Sequence, residues 1–152
     1  MQIETLRDVL HWTREFHLQM ANCLQYSVDK NESERAKMLL KYLGEHEQKL
    51  VNVLAGFEKD ISESVLNTWC YEYLDKTPIV RHQQCEVPFS QLKSTEIIPE
   101  IINLHQQVID LYKNLQGRAE LPSTKELLTQ LADLEQHKIM EMVQSANRLE
   151  DL

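Results

Sequence analysis

One short pattern occurs twice in the chain, 88 residues apart. Leu39-Leu40-Lys41-Tyr42-Leu43-Gly44-Glu45-His46-Glu47-Gln48 returns as Leu127-Leu128-Thr129-Gln130-Leu131-Ala132-Asp133-Leu134-Glu135-Gln136. The leucines, one glutamate and the following glutamine are identical, Gly stands against Ala, and Glu against Asp. The same offset carries Phe16-His17-Leu18-Gln19-Met20 onto Leu104-His105-Gln106-Gln107-Val108. Repetition over the length of a helix pair predicts a duplicated antiparallel hairpin, and so four helices related by a pseudo-twofold axis. It also puts His17 and His105, and Glu47 and Glu135, at symmetry-related places.

Composition narrows the class. The chain has 152 residues, enough for a core that needs no staples, and it is read as one domain over 1–152. Only 3 Gly and 4 Pro leave little room for turn-rich β architecture. Sixteen basic against 24 acidic residues give a net charge of −8, the wrong sign for a nucleic-acid backbone or an anionic membrane surface. The first residues, Met1 to Thr5, show no basic region leading into an apolar stretch, and no run approaches the roughly 18 apolar residues of a membrane helix. The three cysteines include no CxxC pair. Reduced thiols in a cytoplasmic protein are the expectation.

Apolar spacing sets four long helices. The first runs from about Thr5 to Val28, with Thr5 as cap and Leu6, Leu10, Thr13, His17, Met20, Leu24 and Ser27 on one face. The second spans about 32–59, opened by Asn31 with Glu34 in cap-and-N3 spacing. Its seam is Leu40, Gly44, Glu47, Val51 and Leu54, with Leu39, Leu43, His46, Leu50 and Val53 beside it. Residues 60–93 form a long crossover, with a short helix over 62–74 carrying Trp69 and Tyr73 and ended by Pro78. The third helix starts near Pro99, taken as a first-turn proline, and ends at Gly117 as a left-handed stop. Its seam is Ile98, Ile101, His105, Val108, Tyr112 and Leu115. The fourth opens at Pro122, with Ser123 and Glu126 as a capping box. Leu128, Ala132, Glu135, Ile139, Met142, Ala146 and Leu149 form its seam.

His17, Glu47, His105 and Glu135 therefore fall on the core seams of all four helices. A carboxylate in an apolar seam is costly unless it is paired, hydrogen-bonded or metal-bound. Two carboxylates and two imidazoles converging in a core are suitable ligands for iron, manganese or zinc. They are equally able to pair with one another, His17 and His105 against Glu47 and Glu135, with Lys138 neutralising part of the charge.

With these residues in place, the chain resembles the ferritin-like superfamily, rubrerythrin-like members in particular. The segments 43–49 and 131–137 look like that family's metal-helix segments. The resemblance implies an all-α, ferritin-like four-helix bundle of two helical hairpins joined by a long crossover. The family's di-iron site takes a Glu from each of helices 1 and 3 and a Glu-x-x-His from each of helices 2 and 4. Only Glu47 and Glu135 match that set. Helices 1 and 3 offer His17 and His105 instead, and Leu50 and Lys138 stand where the motif histidines belong. Missing both motif histidines speaks against ferroxidase or peroxidase chemistry.

His46 and His137 flank the two glutamates and are candidate shifted ligands. His11 and Glu15, four apart, read as a solvated surface pair. Cys70, His82 and Cys85 have some flavour of a zinc site but lack a CxxC half, and a Cys70–Cys85 disulfide is disfavoured by a reducing compartment. Cys23 reads as a small hydrophobe, and Trp12, Trp69, Tyr71 and Tyr73 as core or rim packing. No phosphate loop, GxSxG elbow or HExxH occurs, so no catalytic residue is assigned. The expectations for function are a non-catalytic protein with a degenerate metal site acting by protein interaction or homo-oligomer formation, or a transition-metal protein with a storage or redox role. An interaction module ferritin-like only in architecture is a third.

Overall fold

The computed structural model describes residues 4–70 and 87–151. They are almost wholly helical: α1 (Leu6–Val28), α2 (Glu34–Asp60), the single turn α3 (Glu63–Leu66), a 3-10 turn (Phe89–Gln91), α4 (Ser94–Arg118) and α5 (Pro122–Glu150). Helices α1 and α2 pack side by side as one hairpin and α4 and α5 as a second, and α2 also touches α4 and α5. No helix among the described residues is long and apolar enough to cross a membrane.

The helix starts follow from local chemistry, not always at the residue the pattern favours. Thr5 caps α1 as expected: its hydroxyl accepts from Asp8 N, and Asp8 Oδ2 accepts from Thr5 N at 3.1 Å. At α2 the cap is Ser33, accepting from Ala36 N at 3.2 Å, not Asn31. Asn31 is buried and does something else. Its Nδ2 donates to Phe89 O and Leu92 O at 3.0 and 2.9 Å, while its Oδ1 accepts from Ser33 N. It thereby ties the turn of the first hairpin to the segment entering α4.

Helix α4 begins five residues before Pro99, with Glu96 reaching back to Lys93 N at 2.9 Å. Pro99 is therefore inside the helix, where it withholds one backbone bond. Gly117 is not a left-handed stop, because no glycine of the described residues has positive φ, and the helix runs on to Arg118. Pro122 is the first residue of α5, so Ser123 lies inside the helix and the expected capping box does not form. Of the helix expected over 62–74, the described part, 62–70, holds only the one turn of α3, and 71–74 lie outside the described residues. Trp69 instead pairs with Thr5 in an isolated antiparallel bridge, flanked by Leu6 N to Thr68 O at 2.9 Å and Cys70 N to Glu4 O at 2.7 Å. Tyr71, Tyr73, Pro78, His82 and Cys85 lie outside the described residues.

The core is one apolar cluster shared by the four long helices. Leu6, Leu10, Leu24, Leu40, Leu43, Leu50, Leu54, Val108, Leu128 and Leu131 are among its fully or almost fully buried members. Each such side chain contributes about 1.5–3 kcal/mol relative to exposure. Val53, placed beside the α2 seam by its spacing, is 40% exposed instead.

Candidate functional site: a buried histidine–glutamate ring

His17 on α1, Glu47 on α2, His105 on α4 and Glu135 on α5 are all 0% exposed. Each sits mid-helix on the seam that its helix turns to the core, so the repeat brings the four together at the centre of the molecule. His17 Nδ1 contacts Glu47 Oε2 at 2.8 Å and His17 Nε2 contacts Glu135 Oε1 at 2.6 Å. His105 Nδ1 contacts Glu135 Oε2 at 2.7 Å, and His105 Nε2 contacts Glu47 Oε1. The result is a closed ring in which histidine and glutamate alternate. In both hairpins Nδ1 binds the glutamate of the same hairpin and Nε2 the glutamate of the other.

Protonation follows from donor counting. A carboxylate only accepts, so four nitrogen–oxygen contacts need four protons between them. Two imidazolium ions supply all four. Burial opposes every charge in the ring. The electrostatic pull of Glu135 and Glu47, with their hydrogen bonds, more than reverses this for His17 and raises its pKa to about 9. His105 is raised to about 10 by the same two glutamates. Glu47 is correspondingly lowered to about 2 by His105 and His17, and Glu135 is lowered by His17 and His105. Two positive and two negative charges interleave, so the ring is neutral as a unit. Every imidazole nitrogen and every carboxylate oxygen has a partner within it, which is the condition under which buried charges are tolerated.

The two imidazole rings lie 4.9 Å apart, tilted by 45°, and Phe16 meets His17 edge to face at 5.7 Å. The donor types also suit a divalent transition metal: one ligand atom each from His17, His105 and Glu135 fall within 4.8 Å of one another. For such an ion to be held, imidazole protons and some of the ring's hydrogen bonds would have to give way.

The other sequence candidates stand apart. His46 packs against Tyr42, the rings 4.3 Å apart and tilted by 47°, and its Nδ1 is 3.8 Å from Glu141 Oε2, too long for a hydrogen bond. Burial, with Lys138 and Lys49 nearby, holds its pKa below the usual value. His137 is exposed. Neither belongs to the ring. Lys138 does not neutralise Glu135, because its Nζ pairs with Glu141 at 3.3 Å. His11 contacts Arg14 through Nδ1 at 2.9 Å. Cys70 is a buried free thiol, not half of a disulfide with Cys85, and burial with the charge of Asp8 pushes it up to about 11. Cys23 is disulfide-bonded, which corrects both the expectation of reduced thiols and the reading of Cys23 as a plain small hydrophobe.

Tyr112 and Thr13, assigned only to packing by their spacing, border the ring. Tyr112 is fully buried under the influence of Glu135, and Thr13 lies one turn before His17. The signal that finds them is the repeat itself. The offset maps Thr13 onto Ile101 and Tyr112 onto Leu24, so one end of the ring carries two hydroxyls where the other carries two hydrocarbons.

An open cavity of about 440 Å³ lies between the end of α4, the start of α5 and the Thr68–Cys70 segment, and Leu115, Thr124 and Leu128 are part of its wall. Comparison with protein-family models, curated proteins and solved structures returns no match to this chain.

Proposed function

We propose that the chain is a ferritin-like four-helix bundle whose ancestral metal site has become a self-sufficient ionic ring, and that it works by protein interaction or self-association, not by catalysis. The observation that carries this reading is the closure of the ring. All eight ligating atoms are engaged with one another in a neutral, fully buried set, which leaves no imidazole nitrogen free to bind or activate a substrate. The ring's role is then to specify which helices face one another. A hairpin packed out of register would bury unpaired charges, at a cost of several kcal/mol. The ferritin-like assignment rests on the paired-hairpin plan and on Glu47 and Glu135 as the matching residues.

A second reading has its own support in the three ligand atoms gathered within 4.8 Å. Here His17, Glu47, His105 and Glu135 hold one iron, manganese or zinc ion. The ion would supply redox or storage chemistry. The carboxylate-to-imidazole contacts left over would orient the ligating histidines, a usual feature of histidine metal sites.

Elemental analysis by mass spectrometry separates the two. Protein purified without chelator is compared with the Glu47→Ala/Glu135→Ala variant. The first reading predicts no stoichiometric transition metal in either. Near-stoichiometric metal in the wild type that vanishes in the variant would replace it with the second.

A further inference from the structure

The open cavity between the end of α4, the start of α5 and residues 68–70 takes no part in the ring. Leu115, in its wall, stands beyond His105 on α4 by about 15 Å of helix. A volume of about 440 Å³ is in the range that small-molecule sites occupy. Two large apolar side chains that stay exposed, Trp69 at 61% and Leu121 at 53%, belong to this one wall. The buried Leu115 and Leu128 continue the apolar lining.

The polar groups of the wall have donors to spare. Thr68 and Thr124 share one hydrogen bond between their hydroxyls, at 3.2 Å. Two hydroxyls carry two protons, and one bond uses one of them. Neither hydroxyl makes another hydrogen bond among the described residues, so one proton is left over whichever way the bond runs. Thr124 is 2% exposed, and an unspent donor at that depth is costly.

The start of α5 adds amides of the same sign. The other long helices are closed by side chains: Thr5 and Asp8 at α1, Ser33 at α2, Glu96 at α4. No side chain caps α5, and no acidic residue stands in its first turn. The N–H groups of Ser123 and Thr124 and the positive end of the helix dipole are therefore unmatched. Glu120 borders the cavity but makes no hydrogen bond among the described residues. The carbonyl end of α4, across the cavity, is compensated by Arg118 in its last turn. What remains unspent is thus donor and positive, beside an apolar wall.

We propose that this cavity binds a small amphipathic carboxylic acid. The carboxylate accepts from the Thr68–Thr124 pair and from the start of α5, and Arg118 adds positive charge. The apolar body lies along Leu115, Leu128, Leu121 and Trp69. The site is separate from the ring and stands under either reading of it.

Titration of the full chain with octanoate, followed by amide NMR, tests this, with octanol as the neutral control of equal chain length. Saturable shifts are expected, centred on residues 68–70 and 121–128. The dissociation constant should be at least tenfold lower for octanoate than for octanol. Trp69 emission should move to the blue, and Trp69→Phe should abolish that move. Thr124→Val keeps the side-chain shape and removes the hydroxyl. It should weaken octanoate about tenfold and leave octanol unchanged. Arg118→Gln, at an exposed position, should weaken octanoate in the same selective way and does not depend on the buried threonine folding well. Equal affinity for octanoate and octanol would overturn the proposal, since the cavity would then read only the apolar body. Shifts that do not saturate, or that centre elsewhere, would overturn it too, as would unchanged octanoate affinity in both variants.

Discussion

Glu47 accepts from the histidine of its own hairpin and from the histidine of the other, and Glu135 mirrors it. Replacing one acceptor strands an imidazolium in an apolar core. Glu47→Gln should therefore lower the unfolding free energy by about 3–5 kcal/mol, read from urea titration near pH 6. Replacing all four ring residues with apolar side chains of similar volume should cost far less, because no unpaired charge remains. The ring also sets a pH profile. Both histidines have raised pKa values, so their contribution is complete below the unfolded value of 6.5 and is lost as pH climbs through about 9 to 10. Both glutamates have lowered values, so theirs is complete above the unfolded value of 4.5 and is lost as pH falls below it, for Glu47 through about 2. The melting temperature should thus peak between about pH 4.5 and 6.5 and decline on both sides. At this scale the four residues were legible because the repeat and the seam spacing both selected them. Which nitrogen meets which oxygen was not, since that depends on helix rotation and rotamer. Tyr112 read as plain core because it falls on the apolar seam, and only its mismatch with Leu24 across the repeat marks it out.

Among the elements, existence was legible and boundaries were not. All four long helices follow from their 4–3 apolar spacing, and the caps show why their ends moved. Ser33, not Asn31, caps α2 because Asn31 is drawn away to Phe89 O and Leu92 O, partners distant in sequence. Ser123 and Glu126 match a capping box, but the chain turns helical one residue earlier, at Pro122, whose fixed φ and missing donor suit that place. Ser33→Ala should accordingly cost about 1 kcal/mol, while the exposed Ser123→Ala stays within about 0.5 kcal/mol of wild type, both by thermal or urea unfolding. Pro99 was misread as a helix start because α4 already has an opening contact, from Glu96 to Lys93 N. Asn31→Ala would remove the tie between the first hairpin's turn and the approach to α4. Hydrogen exchange at Phe89–Leu92 should speed up in that variant while the centre of α1 stays protected.

For the whole molecule, the duplicated hairpin is the organising fact. Each half contributes one histidine and one glutamate, and the two Nε2 contacts cross between halves while the two Nδ1 contacts stay within them. Under the proposed reading, the ring penalises any relative placement of the two hairpins that leaves it open. The resemblance to ferritin-like proteins pointed toward metal chemistry, but a reaction was never legible in the chain, because the same four residue types serve an ion and an ion-free ring equally well. The proton inventory tells these apart. Nitrogen-15 NMR of the imidazole groups at pH 7, on protein purified without chelator, reads that inventory directly. The account predicts that both nitrogens of His17 and of His105 carry protons with imidazolium shifts, and that they stay protonated until pH approaches about 9. An unprotonated nitrogen on either residue at pH 7, whether in a neutral tautomer or bound to metal, would contradict it.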